Sequence, residues 1–135
     1  MQPYLVKIDE FGNLFMTYGA GTADGDSSWT CMGTLTKGIN RANDWEVTPV
    51  QLEPLPLSSS EEVRLINDLF EFFGNYLNDL PYACVPEMFP DNYNSNSFAR
   101  GLLEKVGAPL PAFPNLGFVP PGWSKPVPSP KFDPR

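Results

Sequence analysis

Histidine is absent from this 135-residue chain, so no mechanism that needs an imidazole as base, nucleophile or metal ligand can operate in it. Only two cysteines are present, Cys31 and Cys84. Two thiols without histidine do not form a typical zinc site unless carboxylates complete it, and we predict neither a metal site nor a cofactor. A single pair of cysteines has no diagnostic spacing. A disulfide is compatible with the sequence, but we favour two buried thiols.

Long apolar runs and positive charge are also scarce. No run approaches the roughly 20 residues of a membrane-spanning helix, so we expect no membrane insertion. The N-terminus lacks a basic region followed by an apolar one. This predicts a cytoplasmic protein, a module cut from a longer chain, or an effector exported without a cleavable signal.

A net charge of −7 repels phosphate backbones, and we expect no nucleic acid partner. It suits a basic protein partner, although acidity for solubility alone is the commoner explanation.

Proline, by contrast, is abundant, with 16 residues that lie mostly in the second half of the chain. A length of 135 residues fits one domain, and we expect a single α+β domain over residues 1–135. Proline interrupts helices and central strands. We therefore predict residues 108–135 as an extended, proline-rich tail that packs its apolar side chains onto the body of the domain.

Short apolar and β-branched runs predict strands in the N-terminal part of the chain. Residues 4–8 and 14–18 flank a Gly-Asn turn signal and predict a β-hairpin. The glycine-rich residues 19–26 predict a solvated loop, because they lack the spacing of a phosphate or calcium loop. Further strands are predicted at 29–36 and at 45–50, the second of them at a sheet edge because it contains proline.

A first helix is predicted by two overlapping capping boxes, Ser58 with Glu61 and Ser59 with Glu62, and it ends at Pro81. Apolar side chains recur at intervals of three and four residues and predict its core-facing stripe. They are Val63, Ile66, Phe70, Phe73, Tyr76, Leu77 and Leu80.

A second helix is predicted after the Asn and Ser residues at 94–97, which are good N-caps, and it ends at Gly107. Its apolar face holds Phe98, Leu102, Leu103 and Val106. The predicted fold is a small antiparallel sheet, made of the N-terminal hairpin plus one or two strands, packed against these two main helices.

The start of the second helix is the most suggestive place for chemistry. Free backbone N–H groups and the positive end of the helix dipole meet there, and both would stabilise an oxyanion or activate a nucleophile. Ser95 or Ser97 is therefore a candidate nucleophile. Simple helix capping is the more common role of such residues.

Two segments carry a family resemblance: Asn-Ser-Asn-Ser-Phe-Ala-Arg-Gly-Leu-Leu at 94–103, and Pro-Gly-Trp-Ser-Lys-Pro-Val-Pro at 121–128. They resemble the C-terminal part of papain-like and NlpC/P60-like domains, in the permuted form found in bacterial polymorphic toxins and secreted effectors. The resemblance implies a catalytic cysteine at the N-terminus of the helix. It also implies a histidine on an early strand, which the hairpin at 4–18 resembles.

The chain departs from that pattern at both catalytic positions, because Ser95 stands where the cysteine would be and no histidine exists. Ser95 is the predicted catalytic residue, and Asn94, Asn96, Ser97 and Trp123 are the predicted binding residues. A serine needs a base more than a cysteine does, and the candidates are Asp91, Glu87 and Lys7. Cys84 is a second candidate nucleophile, which we interpret as buried.

Three functions remain open from the sequence. We favour a non-catalytic papain-like module of an effector or toxin-type protein, with a recognition or structural role and a protein partner. The first alternative is an amidase or peptidase that uses Ser95. The second is an acidic immunity or adaptor protein whose binding to a basic partner weakens as salt rises.

Overall fold

The computed structural model describes residues 7–8, 14–15, 17–22, 31–40, 57–110 and 119–135. Within these ranges the chain has the predicted α+β architecture, with a small antiparallel sheet and two helices. The strands are β1 (Lys7–Ile8), β2 (Leu14–Phe15), β3 (Tyr18–Thr22), β4 (Met32–Ile39) and β5 (Leu80–Ala83). The helices are α1 (Ser59–Asn75) and α2 (Ser95–Val106), and single 3₁₀ turns lie at Pro86–Met88 and Ser129–Phe132.

The strands form two sheets in the described residues. The predicted hairpin is present as β1 and β2, which pair antiparallel in a sheet of their own. The larger sheet has the order β3-β4-β5, with antiparallel neighbours. The hairpin is therefore separate from the larger sheet, whereas the prediction placed all of these strands in one sheet.

Residues 19–22 belong to β3, so the prediction of a loop there was wrong. Ala20 of β3 lies in the core with Leu35 of β4, and Tyr18, two residues earlier, packs against this core. Glycine lowers the strand propensity of this segment, but the ladder with β4 supplies the pairing that the local sequence does not predict. The third strand is confirmed, although it extends to Ile39. The strand predicted at 45–50 lies outside the described residues.

Strand β5 was missed because it contains Pro81. Proline has no N–H to donate to a ladder and is tolerated at a sheet edge. In β5, Pro81 faces Thr34 of β4, and its carbonyl accepts from the N–H of Tyr93 at 2.9 Å. Helix α1 accordingly ends at Asn75, five residues before β5 begins, instead of running on to Pro81.

Helix α1 begins with the predicted capping box between Ser58 and Glu61. The predicted Phe73 and Tyr76 are buried, but the core-facing side of the first half of the helix differs from the prediction. Leu65 is buried there, whereas Val63 is 60% exposed and Ile66 is 44% exposed. Apolar residues occupy more than one face of α1, so a spacing of three and four residues fits two neighbouring stripes of the helix equally well. Packing against β3 and α2 selects the stripe that contains Leu65.

Helix α2 follows the prediction closely. Asn94 is its N-cap, and Gly107 ends it in the left-handed conformation with φ of 73°. Phe98, Leu102 and Val106 are buried. Phe98 packs edge to face on Tyr76 and Phe132, with ring centroids 5.1 and 5.5 Å apart. This aromatic cluster joins both helices to the C-terminal segment.

The C-terminal segment is described from residue 119 onward. Val127 and Phe132 are buried against the helices. The segment is not extended throughout, because residues 121–124 form a turn and Ser129–Phe132 is a 3₁₀ turn.

Cys31 and Cys84 form a disulfide, so the interpretation as two buried thiols was wrong. Both residues are half-buried. The pairing of β4 with β5 brings the two residues together, with Cα atoms 5.0 Å apart across a sequence separation of 53 residues. No local spacing in the sequence reports such a contact.

Candidate functional site at the start of helix α2

Asn94 connects three segments of the chain at the N-terminus of α2. Its Oδ1 accepts the N–H of Ser97 at 3.0 Å, which is the capping bond of the helix. Its Nδ2 donates to the carbonyl of Cys84 at 3.2 Å and to that of Pro121 at 2.9 Å. The residue is almost fully buried, with 6% of its surface exposed. Asn94 therefore uses both ends of its amide on the protein itself.

Ser97 completes the capping box from inside the protein. Its hydroxyl accepts the N–H of Asn94 at 3.2 Å and donates to the carbonyl of Gly122 at 3.1 Å. The residue is completely buried. A hydroxyl in this position cannot reach a substrate, so Ser97 acts as a cap and as a tie to the C-terminal segment.

Gly122 packs closely against Asn94 and Ser97. Its backbone has φ of +88°, and a Cβ built on it would stand 1.9 Å from Oδ1 of Asn94. Both observations require glycine here, one for conformation and one for space. The Pro-Gly-Trp segment that contributed to the family resemblance is therefore packed directly on the helix cap.

Ser95 is the first residue of α2 and is exposed. Among the residues that the structure describes, its hydroxyl has no hydrogen-bond partner. Of the three candidate bases, Asp91 is exposed without a bond to Ser95, and Glu87 is engaged elsewhere. The side chain of Lys7 is outside the described structure. The helix position favours chemistry at Ser95, but the described surroundings supply no base.

Glu87 holds the turn that contains Gly122. Its carboxylate accepts the N–H of Gly122 at 2.8 Å and the hydroxyl of Ser124 at 2.6 Å. Partial burial acts to raise the pKa of this carboxyl, but the hydrogen bonds from Ser124 and Gly122 and the charge of Lys125 outweigh it and lower the pKa below its ordinary value. Glu87 is thus held as an acceptor, whereas a general base would need a raised pKa.

Lys125 fixes the segment between β5 and α2. Its ammonium donates to the carbonyls of Pro86, Phe89 and Asn92 at 3.2, 2.6 and 2.9 Å. It also lies 4.7 Å from the centre of the Tyr93 ring, a cation–π contact. One lysine therefore satisfies three carbonyls of an irregular segment that has no ladder of its own.

The remaining predicted binding residues gather around the same turn. Asn96 donates to the carbonyl of Pro121 at 2.9 Å. Arg100 donates to the carbonyl of Trp123 at 2.7 Å, and its guanidinium lies 5.7 Å from the centre of the Trp123 ring. The structure thus brings Asn94, Asn96, Ser97 and Trp123 into one region, where the bonds of the three polar residues are to the chain itself.

The loop at residues 85–89, here called the anchored loop, was not singled out by the sequence. Buried Pro86 and the bonds from Lys125 fix its backbone. Its other apolar side chains point outward, with Val85 and Phe89 each 40% exposed and Met88 76% exposed. Met32 of β4, which pairs with Ala83 just before the loop, is 46% exposed. The only sequence signal was an apolar run that contains two prolines.

Other site chemistry is limited in the described residues. Cys84 is bonded to Cys31 and is therefore no nucleophile in this state. Within the described part of the chain, no three acidic or cysteine side chains gather in a way that would hold a metal ion. No helix there is long and apolar enough to cross a membrane.

Comparison of the chain with protein-family models, curated proteins and solved structures finds no match. The resemblance to papain-like and NlpC/P60-like domains stays a prediction from the sequence. Its two segments do lie against each other, since Asn94 and Ser97 bind the backbone of Pro121 and Gly122.

Proposed function

We propose that this chain is a non-catalytic protein-recognition module, in which the anchored loop contacts a protein partner. The observation that carries the proposal is the use of the polar groups at the start of α2. Asn94, Ser97 and Glu87 all bind backbone of the Pro121–Ser124 turn. These polar groups, which were candidates for binding or catalysis, here bind the protein's own chain.

The proposal that the chain is non-catalytic rests on the surroundings of Ser95. Serine is a weak nucleophile unless a base removes its proton, histidine is absent, and Glu87 is held by two strong hydrogen bonds. A scaffold of this kind, with its reactive positions lost, fits a recognition or structural part of an effector or toxin-type protein. This assignment extends the family resemblance and remains part of the proposal.

Recognition by the anchored loop is supported by its combination of rigidity and apolar exposure. A surface that is already fixed loses little conformational entropy on binding. Three neighbouring apolar side chains, including a methionine, form the kind of surface that packs against an apolar patch of another protein. The net charge of −7 favours a partner whose apolar patch is surrounded by lysine and arginine.

The catalytic part is tested by labelling the purified chain with a fluorophosphonate probe, which reacts with activated serines. We expect no adduct by intact-mass analysis, and Ser95→Ala should behave as the wild-type chain does. A stoichiometric adduct on Ser95 that disappears in Ser95→Ala would establish an activated serine and overturn the proposal.

The recognition part is tested by placing a photo-crosslinking amino acid at Met88 and irradiating lysates of cells that produce the protein, in which the salt concentration can be varied. The matched control carries it at Glu71, an exposed position on α1. We expect a discrete protein adduct from position 88 that is lost when Phe89→Asp is added and that weakens at high salt. Equal adducts from both positions, or none from position 88, would refute the anchored loop as the contact surface.

A further inference from the structure

We infer that the Cys31–Cys84 disulfide is a thiol-sensitive latch for the anchored loop, so that a dithiol reductant loosens the contact surface without unfolding the domain. The inference rests on the proposed function for its role in binding. Its structural part depends only on the geometry around the two half-cystines, and it is testable without a partner.

The disulfide closes one end of the sheet immediately before the loop. Met32 and Ala83 form the last ladder pair between β4 and β5, and the disulfide joins the next residue on each side. The N–H of Cys84 donates to the carbonyl of Cys31 at 3.2 Å. Val85 follows at once, so the disulfide fixes the position where the loop leaves the sheet.

Neither half-cystine is fully buried. They are half-buried rather than enclosed in the core. Cys31 also has φ of +50°, a left-handed conformation that most residues other than glycine rarely adopt. Exposed or strained disulfides are the labile and regulatory ones, whereas enclosed disulfides resist reduction. The cross-link therefore holds a backbone conformation that Cys31 would not favour alone.

The chemistry is a two-electron thiol–disulfide exchange. One thiolate of the dithiol attacks a sulfur of the disulfide, forms a mixed disulfide and releases the other cysteine as a thiolate, which takes up a proton. The second thiol of the reductant then displaces the remaining cysteine. The products are two protein thiols and an oxidised, disulfide-bonded reductant, so electrons and protons balance.

The effect of reduction is confined to one side of the loop. The other side keeps its anchors, because Lys125 still binds the carbonyls of Phe89 and Asn92 and Glu87 still binds Gly122. Asn94 holds the carbonyl of Cys84 itself. Lys125 also keeps its bond to the carbonyl of Pro86. Reduction should therefore free residues 31–32 and 84–85, where the loop leaves the sheet, while α2 keeps its cap and its packing.

Hydrogen exchange measured by mass spectrometry tests this on the full chain with and without millimolar dithiothreitol, with complete reduction verified by alkylation. We expect exchange at residues 84–85 to accelerate by about tenfold or more, while peptides of α2 change by less than about twofold. The double variant Cys31→Ser with Cys84→Ser should exchange like the reduced chain and ignore the reductant.

Three results would overturn the latch. One is a disulfide that resists the reductant in the folded protein. Another is full reduction with unchanged exchange at residues 84–85. The third is an equal rise in exchange throughout α2, which would make the disulfide a general stabiliser. All three are measured on the wild-type chain, so the test survives if the serine variant does not fold.

Crosslinking from position 88 with and without dithiothreitol separates this inference from the proposed function. We expect the adduct to fall severalfold on reduction. An adduct that persists at full strength would sink the regulatory role and leave recognition intact. If no adduct forms in the oxidised chain although the exchange experiment succeeds, the recognition proposal fails while the structural latch stands.

Discussion

Gly101 of helix α2 lies directly against Val127 of the C-terminal segment, and a Cβ atom on Gly101 would stand 2.5 Å from the carbonyl oxygen of Val127. The N–H of Val127 donates to the carbonyl of Ser97 at 3.0 Å, one helical turn away. The C-terminal segment thus crosses α2 at backbone contact, and its buried residues Val127 and Phe132 form part of the core.

This contact predicts that Gly101→Ala destabilises the protein although alanine is the better helix former. The substitution gains about 1 kcal/mol of helix propensity. The new methyl group meets backbone that cannot move without breaking the Val127 bond, and such overpacking costs about 1–3 kcal/mol. We expect a net loss of up to about 2 kcal/mol in the free energy of unfolding by urea.

Gly74→Ala is the matched control, because Gly74 lies in α1 and a Cβ atom added there would meet nothing within 4 Å. It should raise stability by about 0.5 kcal/mol. If both variants shift the urea midpoint in the same direction, the close approach at Gly101 is not what decides its identity.

Alanine substitutions at Ser97 and Ser95 test whether the buried hydroxyl, and not the exposed one, stabilises the start of α2. Ser97→Ala removes a buried hydroxyl that bonds Asn94 and Gly122, and unsatisfied buried partners cost about 1–3 kcal/mol. Ser95→Ala changes an exposed side chain and should stay within about 0.5 kcal/mol. Thermal or urea unfolding compares the two. A larger loss in Ser95→Ala would contradict the description of the helix cap.

Local signals predicted the starts of both helices and the end of α2 well, because each depends on residues within one helical turn, whereas the end of α1 was predicted six residues too late. Ser58 and Glu61 satisfy each other's backbone groups at the start of α1, and Asn94 and Ser97 do so at the start of α2. Gly107 ends α2 through its own backbone conformation. The sequence contains the whole of each interaction within a single turn, so these features required no knowledge of the fold.

The missed features depend on contacts between distant residues. Strand β5 and the disulfide exist because β4 pairs with residues 80–83, far along the chain. Lys125 acts on carbonyls more than thirty residues before it, and no pattern near Lys125 shows that role. The predicted binding residues do lie together at the start of α2, but the partners that occupy their polar groups follow from the fold.

Lys125→Met should destabilise the anchored loop by about 2 kcal/mol, because charge-assisted hydrogen bonds to three carbonyls are lost and methionine replaces only the apolar stem. Hydrogen exchange at residues 86–92 should accelerate more than in the sheet. Lys131→Met is the control, since the side chain of Lys131 bonds Asp79 at 3.1 Å on an exposed surface. That exposed pair should be worth about 0.5 kcal/mol. Equal losses in the two variants would show that Lys125 does not anchor the loop.

The raised pKa of the Tyr76 phenol predicts how the free energy of unfolding responds to alkaline pH. Its phenol is buried, donates to the carbonyl of Leu35 at 2.7 Å, and has a pKa raised to about 12, chiefly by burial. The unfolded chain releases this proton near its ordinary pKa of about 10. Between these two values the folded state binds more protons, so the contribution is full below pH 10 and is lost as pH rises toward 12.

We therefore expect the free energy of unfolding to fall across that interval, and the absorbance of tyrosinate should lose a late-titrating component in Tyr76→Phe. Tyr76→Phe is the control. It should cost about 1 kcal/mol at neutral pH through the lost hydrogen bond, and its stability should fall less steeply at alkaline pH because the titrating group is gone. If the stability of Tyr76→Phe fell as steeply between pH 10 and 12 as that of the wild-type chain, other groups would cause the loss. The phenol of Tyr76, which bonds Leu35 and packs on Phe98, would then not have the raised pKa that its burial requires.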